Sequence, residues 1–327
     1  MISACTVRRE TDQFLADILT GLSRPQKRLP SKYFYDAAGS RLFDRITELP
    51  EYYPTRTELA IVTAHAAAMA DRCGPRCLLI ELGAGSLVKV RLLLDRLDRP
   101  AGYVPVDVSG EHLRSAAAEL GADYPGLGVA PVVADFTRPF ELPPVPAARR
   151  VAYFPGSTIG NFDPSEADDL LRRVAGLVGP GGGLLLGLDL RKDPAVLEPA
   201  YNDTRGVTAA FNRNLLVRIN RELGADFDPT AFRHRAFYNR ERDRIEMHLV
   251  SAAEQSVQVC GRAFAFRAGE SIHTENSYKY DLDDFARRAA ECGWRAGASW
   301  TDEQRYFAVT YLTAATPGHA GLSPRPE

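Results

Sequence analysis

A doubly wound α/β sheet carrying an inserted α+β lobe is the fold this sequence predicts, and three observations predict it. Between Cys77 and Leu190 five short apolar runs alternate with helical patterns. Those runs are continuously apolar, as strands are when helices cover both faces of a parallel sheet. Beyond Leu190 the alternation gives way to period-two patterning, before a helix and an apolar run return near the C-terminus.

Taken in order, the stretch TDQFLADILTGL reads as a helix, and LPSKYFYDAAGSRLFDRITELPEYYPTRTE mixes aromatics and charges with turn formers, too irregular for a core element of its own. A helix is expected over roughly Arg56 to Cys73, with Leu59, Val62 and Ala66 on one face. The five strands are CLLIELGAG, YVPVDVS, VAPVVADF, RRVAYFPGS and, after the turn GPGGG, LLLGLDL; helices run through KVRLLLDRL, EHLRSAAAEL and EADDLLRRVAGLV. A helical block ending in NRELG and antiparallel strands between RHRAFYN and GRAFAF then form the inserted lobe. DLDDFARRAAECGW and QRYFAVTYLTAA return to the sheet, and GHAGLSPRPE is a tail. This division gives an N-terminal helical segment at 1–60 packing with the inserted lobe, a ligand-binding sheet at 61–193, the lobe at 194–285 and the return at 286–327.

With 327 residues, 45% hydrophobic and 25% charged, the chain has ordinary globular composition and enough material for two domains. A net charge of -2 and scattered arginines leave no basic footprint for nucleic acid. No window approaches a membrane span and MISACTVRRE lacks a secretory apolar core, so a cytoplasmic monomer is expected. The five cysteines are expected to be reduced, and neither they nor His65, His112, His234, His248 and His273 show a metal-ligand spacing; no metal is expected.

The strand ends carry the chemistry. Gly83 and Gly85 end the first strand where a helix is about to start, so a ligand can approach the backbone and the free N–H groups. Asp107 ends the second strand, placed for ribose hydroxyls, and Asp135-Phe136 ends the third, an acid for an adenine amino group beside a ring for its face. Three successive tips of this kind point to an adenosine ligand, because such sheets bind ligands at the carboxyl ends of their strands. The phosphate cradle of ATP sites is missing, and Val88 stands where a dinucleotide fingerprint has its third glycine. Glu81 beside the turn is expected to repel a pyrophosphate and suit a sulfonium or an amino group, which favours S-adenosylmethionine.

The ordered set LPSKYFYDAAGSRLFDRITELPEYYPTRTE, IELGAGSLVKVRLLLD, FPGSTIGNF and TENSYKY resembles the L-histidine Nα-methyltransferases of ergothioneine biosynthesis, over about residues 10 to 315. The resemblance implies a Rossmann-like methyltransferase sheet with an inserted substrate-binding domain, and successive trimethylation of the α-amino group of L-histidine, through mono- and dimethylated forms, to hercynine with release of S-adenosylhomocysteine. By it, Gly83, Lys89, Asp107, Asp135 and Phe136 contact S-adenosylmethionine, with Tyr35 close to the reacting groups and the candidate catalytic residue. Asn161 and Tyr201 hold the amino-acid carboxylate, Tyr52, Glu275 and Ser277 surround the imidazole with Met247 near them, and Gly156 and Thr158 belong to the loop below the amino group. Tyr35 is chosen over Tyr33, and Tyr52 over Tyr53, by spacing.

Glu275 and Ser277 lie one residue apart, so on an extended segment they face the same object. A carboxylate and a hydroxyl can satisfy the two nitrogens of an imidazole. An indole or phenol offers a single polar group, which argues against tryptophan or tyrosine as the substrate of a related enzyme. The complete amino-acid pocket argues against a noncatalytic S-adenosylmethionine-binding regulator.

Overall fold

The computed structural model describes residues 4–85 and 87–316, with side chains from residue 12 onward. In chain order the elements are α1 (Ala4–Leu22), β1 (Lys27–Arg28), α2 (Ala37–Thr47), α3 (Tyr53–Cys73), β2 (Cys77–Leu82), α4 (Val88–Leu94), β3 (Gly102–Asp107), α5 (Gly110–Asp123), β4 (Val132–Val133), β5 (Arg149–Phe154), α6 (Pro164–Val178) and β6 (Gly183–Asp189). There follow α7 (Pro194–Leu197), α8 (Val207–Leu223), β7 (Phe232–Asn239), β8 (Arg244–Ser251), β9 (Gln255–Val259), β10 (Arg262–Phe266), β11 (Ser271–Tyr278), α9 (Leu282–Glu291), β12 (Trp294–Thr301) and β13 (Phe307–Ala314). Among the described residues no helix is long and apolar enough to cross a membrane.

The chain divides into two compact units, one of residues 1–53 and 192–278, the other of residues 54–191 and 279–327. The breaks fall at 53/54, 191/192 and 278/279, where the sequence reading puts them after 60, 193 and 285.

The sheet unit is a seven-stranded sheet in the order β12-β13-β6-β5-β2-β3-β4. Strands β4, β3, β2, β5 and β6 are mutually parallel, and β13 enters antiparallel beside β6. Chain order reverses between β2 and β5, the switch point at which such sheets open a crevice at their carboxyl ends. Every residue of β2 and β6 is buried, which is why both read as unbroken apolar runs. Alternation survives in the packing: Leu78, Ile80 and Leu82 meet α6 and α9 on one face, while Cys77 and Leu79 meet α3, α4 and α5 on the other. Burial pushes the Cys73 and Cys77 thiols up to about 12 and about 11, and the described cysteines are unpaired.

In the sheet unit two elements differ from the sequence expectation, and in the N-terminal arm β1 and α2 form where an irregular stretch is expected. The third strand shrinks to Val132–Val133 with a separate bridge at Val129, because Pro131 between them has no N–H to give the ladder. The C-terminal return is a hairpin, since WRAGASWT forms β12 at the sheet edge. Its small residues and a register shift between Ala296 and Ser299 hide the period-two pattern.

The lobe unit is a four-stranded sheet in the order β1-β11-β8-β7, with β9 and β10 as a separate hairpin. β1, from the N-terminal arm, runs parallel to β11 through Lys27↔Ile272 and Arg28↔His273. Asp36 accepts from Gly39 N–H at the start of α2, from Asn214 of α8 at 2.8 Å and from Arg221 at 2.7 Å, pinning the arm to α8. Burial would raise the Asp36 carboxyl, but those donors together hold it below its usual range.

Candidate active site

In the sheet unit, β2, β3 and β4 are neighbours, so their tips carry Gly83, Asp107 and Asp135 in a row. Gly83 has φ +73°, a conformation side chains resist, and its N–H bonds back to Val106 O at 2.9 Å. A Cβ built there would lie 3.6 Å from the Phe136 ring, so the glycine keeps the space beside that ring open. Phe136 stands edge-on to Phe154 and Phe162, with centroids 5.3 and 6.3 Å away. Asp107 accepts from Ser109 N–H at 2.7 Å and Asp135 from Thr137 N–H at 3.0 Å, so each carboxylate is oriented by its own turn. A ring face, two oriented acids and an open glycine backbone fit an adenosine group.

The expectation for Glu81 is corrected. It is fully buried and accepts from the Tyr103 hydroxyl, and burial raises its carboxyl to about 8. Near neutral pH it is mostly uncharged, so it cannot select a sulfonium by charge. Lys89, in the first turn of α4, pairs with the buried carboxylate of Glu58.

The FPGSTIGNF segment leaves β5 and turns sharply. Gly156 has φ +75° and Ser157 φ +54°, followed by a short 3-10 turn over Thr158–Asn161. The Thr158 hydroxyl donates to Pro155 O at 3.0 Å, and Asn161 is half-buried at the end of the turn.

In the lobe unit, pairing decides which side chains share a face. Glu275 lies opposite Met247 and Ser277 opposite Ile245, so Glu275, Ser277 and Met247 project from one face. His273 lies opposite His248, one face over, because the register shifts between His273 and Glu275. Thr274 is the extra residue: in a regular strand His273 and Glu275, two apart, would point the same way, and the bulge puts them on opposite faces.

Tyr201 joins the Glu275 face: its hydroxyl is 2.8 Å from Ser277 Oγ. The loop that carries it is sewn to the edge of β7 by side chains standing in for a missing strand. Asn202 accepts from Ala236 N–H and donates to Ala236 O, Glu198 accepts from Tyr238 N–H, and His234 Nε2 contacts Tyr201 O at 2.8 Å. Thr204 donates to Glu51, tying this loop to the segment holding Tyr52. An aromatic chain then runs from Tyr201 to Tyr52 (6.3 Å), Tyr52 to Phe43 (6.2 Å) and Phe43 to Tyr35 (5.6 Å), all edge-on. Tyr33 instead donates to Asp17, and Tyr53 accepts from Lys192, so both are engaged outside this chain.

The lobe therefore brings Tyr35, Tyr52, Tyr201, Met247, Glu275 and Ser277 into one connected set. The sheet unit holds Gly83, Asp107, Asp135 and Phe136 at or next to its strand ends, Lys89 in the first turn of α4, and Gly156, Thr158 and Asn161 in the segment after β5. His234 and Asn202, which place Tyr201, were not legible, because their contacts span 33 and 34 residues and exist only once β7 has formed; Phe43 lies within the aromatic N-terminal stretch, but its packing between Tyr35 and Tyr52 shows only in the structure.

The opposite face of the lobe sheet gathers Glu246, His248 and His273, buried and with ligand-type atoms within 4.8 Å of one another. The two imidazoles stack with centroids 4.7 Å apart at 10°, so one ion cannot lie in both ring planes. The group is a charge network: Arg244 and His248 both bond Glu246. Burial works against the Glu246 carboxylate, but these bonds hold its pKa far below the usual range. Burial, with His248 beside it, lowers His273 to about 4.

The profile of the S-adenosylmethionine-dependent, histidine-specific methyltransferases matches residues 14–314. The histidine N-alpha-methyltransferase of Mycolicibacterium smegmatis is 44% identical over 300 residues, covering 90% of this chain and 92% of that protein. That of Mycobacterium tuberculosis is 43% identical with the same coverage. Ergothioneine biosynthesis protein 1 of Neurospora crassa is 30% identical over 88% of this chain, which spans 34% of that longer protein. Profile and relatives agree over nearly all of the sequence, and the chain belongs to the S-adenosylmethionine-dependent, histidine-specific methyltransferase family.

Proposed function

We propose that this methyltransferase transfers methyl groups from S-adenosylmethionine to the α-amino nitrogen of L-histidine, in three rounds, giving hercynine in ergothioneine biosynthesis. The observation that carries the choice of substrate is the shared face of Glu275 and Ser277 on β11, with Tyr201 bonded to Ser277. A carboxylate accepts from one imidazole N–H while the hydroxyl serves the other ring nitrogen. The family match and the 44% identical relative support the same choice.

Gly83, Asp107, Asp135 and Phe136 would hold the adenosine part and Lys89 its amino-acid end. When bound, S-adenosylmethionine supplies an electrophilic methyl on a sulfonium. Asn161 and Tyr201 orient the substrate carboxylate, and Glu275 and Ser277 fix the ring, leaving the amine lone pair as the group free to react. Holding two reactants in line can supply roughly 7–11 kcal/mol in the best intramolecular models, so positioning suffices without a strong base. Tyr35 is the hydroxyl assigned to the reacting amine, and it assists loss of the one proton each round releases. The rings of Tyr35 and Tyr52 tolerate the growing cation in later rounds.

The test is a panel of twenty amino acids with a labelled methyl donor, read by mass spectrometry. Trimethylated histidine as the main product supports the reading. Product from tryptophan or tyrosine in place of histidine, or tight cofactor binding without any turnover, overturns it.

A further inference from the structure

Glu58 lies in the second turn of α3, carries no exposure at all, and belongs to none of the groups assigned above. Its carboxylate makes two kinds of contact. Both oxygens accept from the Gly156 N–H, at 2.9 and 3.0 Å, and one of them pairs with Lys89. Space for it is kept on β6: a Cβ at Gly187 would sit 2.4 Å from the Glu58 carboxylate and 3.1 Å from the Gly156 nitrogen. A Cβ at Gly156 would in turn lie 3.8 Å from Lys89 Nζ and 3.5 Å from the Thr158 hydroxyl. Cofactor lysine, buried acid and substrate loop thus meet at one point inside the sheet unit.

The loop needs such a hold. Gly156 and Ser157 are consecutive residues in the left-handed region, and the second is not glycine. Ser157 Oγ accepts from Asp189 N–H at 2.9 Å, which fixes the downstream side; Glu58 fixes the upstream side. The Thr158–Asn161 turn begins immediately after.

Resting on the methyltransferase reading, we propose that Glu58 is a positioning residue that sets two things with one carboxylate: the place of Lys89 toward the cofactor, and the conformation of the Gly156–Asn161 loop toward the amino acid. A buried carboxylate stripped of either partner is left with an unmet acceptor or charge, so the two contacts support each other.

The two contacts separate by substitution. Glu58→Gln keeps an oxygen for the Gly156 N–H and loses the negative charge that pairs with Lys89; Glu58→Ala loses both. Calorimetry with S-adenosylhomocysteine and steady-state kinetics with histidine read the two sides on the full chain. For Glu58→Gln the expected result is a weakening of S-adenosylhomocysteine binding by about 5–10-fold with the histidine KM within about threefold of wild type. For Glu58→Ala the same weakening is joined by a rise of at least about tenfold in the histidine KM. Lys89→Met should reproduce the binding loss of Glu58→Gln, and the double variant should add less than about twofold, since both remove one pair.

A role confined to folding would lower the melting temperature and leave both constants within twofold; that result overturns the proposal. So does an equal change in both constants for Gln and Ala, or full additivity of Glu58→Gln with Lys89→Met. If Glu58→Ala does not fold, the Gln variant and the double-variant cycle still decide. Should the wild-type chain methylate another amino acid, the substrate reading falls while the S-adenosylhomocysteine arm is unaffected, and the KM arm is run on whichever amino acid turns over.

Discussion

On the parallel sheet, the groups assigned to the cofactor are a left-handed glycine, two turn-oriented acids and a ring, at three strand tips in a row. On the antiparallel sheet, the groups assigned to the amino acid are side chains of one face, shared with Met247 and kept apart from His273 by the register shift at Thr274. Backbone shape and chain order define the first half; register defines the second. A parallel sheet fixes its tips by its own topology, so the cofactor half tolerates change along its strands. A face chosen by register is lost by a slip of one residue.

The sharpest way to break this contrast is to exchange Glu275 and Asn276, as E275N/N276E. The exchange moves the carboxylate to the face paired with Glu246, and we expect the histidine KM to rise by more than about 10³-fold, with S-adenosylhomocysteine affinity within about threefold. A rise below tenfold in a folded variant means the face that carries the carboxylate does not decide histidine binding. Glu275→Ala tests the same half with one group removed: the expected change is about 10²-fold in histidine KM, and cofactor affinity should hold. Equal shifts in both would make Glu275 a support of the fold.

The opposite face of the same sheet gives a pH measurement. His273 falls from 6.5 to about 4 through burial, then through the neighbouring His248, Arg28 and Arg244, with Glu246 opposing. Its folded pKa lies below its unfolded one, so the neutral ring stabilises the fold fully above pH 6.5, and that stability is lost as pH falls toward 4. The acid limb is worth about 3 kcal/mol, and His273→Gln should flatten it in denaturant titrations between these pH values. An unchanged limb would place the acid sensitivity elsewhere. The smallest effect concerns the aromatic chain. If Tyr35 and Tyr52 face the amine, dimethylated histidine should bind more tightly than histidine by about 2- to 30-fold, since a cation over a ring gains roughly 0.5–2 kcal/mol; calorimetry giving the reverse order removes that role.

The contrast also explains what could be read from the residues alone. CLLIEL and LLLGLDL announce a covered parallel sheet because both faces are buried, and GAG, Asp107 and Asp135-Phe136 mark tips because a tip follows directly from the end of an apolar run. Glu275 and Ser277 could be paired by their spacing, yet nothing in HTENS shows that Thr274 is the bulge, since that depends on the partner strand. The charge expected of Glu81 failed for a similar reason: only packing reveals that Tyr103 and the core enclose it. Likewise nothing in the sequence of α3 marks Glu58, and its role shows only where Gly156 and Gly187 come against it.

The two-residue edge strand β1 has a consequence for biogenesis. Gln26 bonds to Ser271, 245 positions later, and Lys27 and Arg28 find their ladder only on β11. At synthesis rates of about 5–20 residues/s, the nascent arm bearing Tyr35 leaves the ribosome roughly 12–50 s before its docking strand exists. Assembly of the lobe is therefore a late, post-insertion event, and slowed elongation over codons 230–278 would lengthen the interval in which that arm is open to proteases and chaperones.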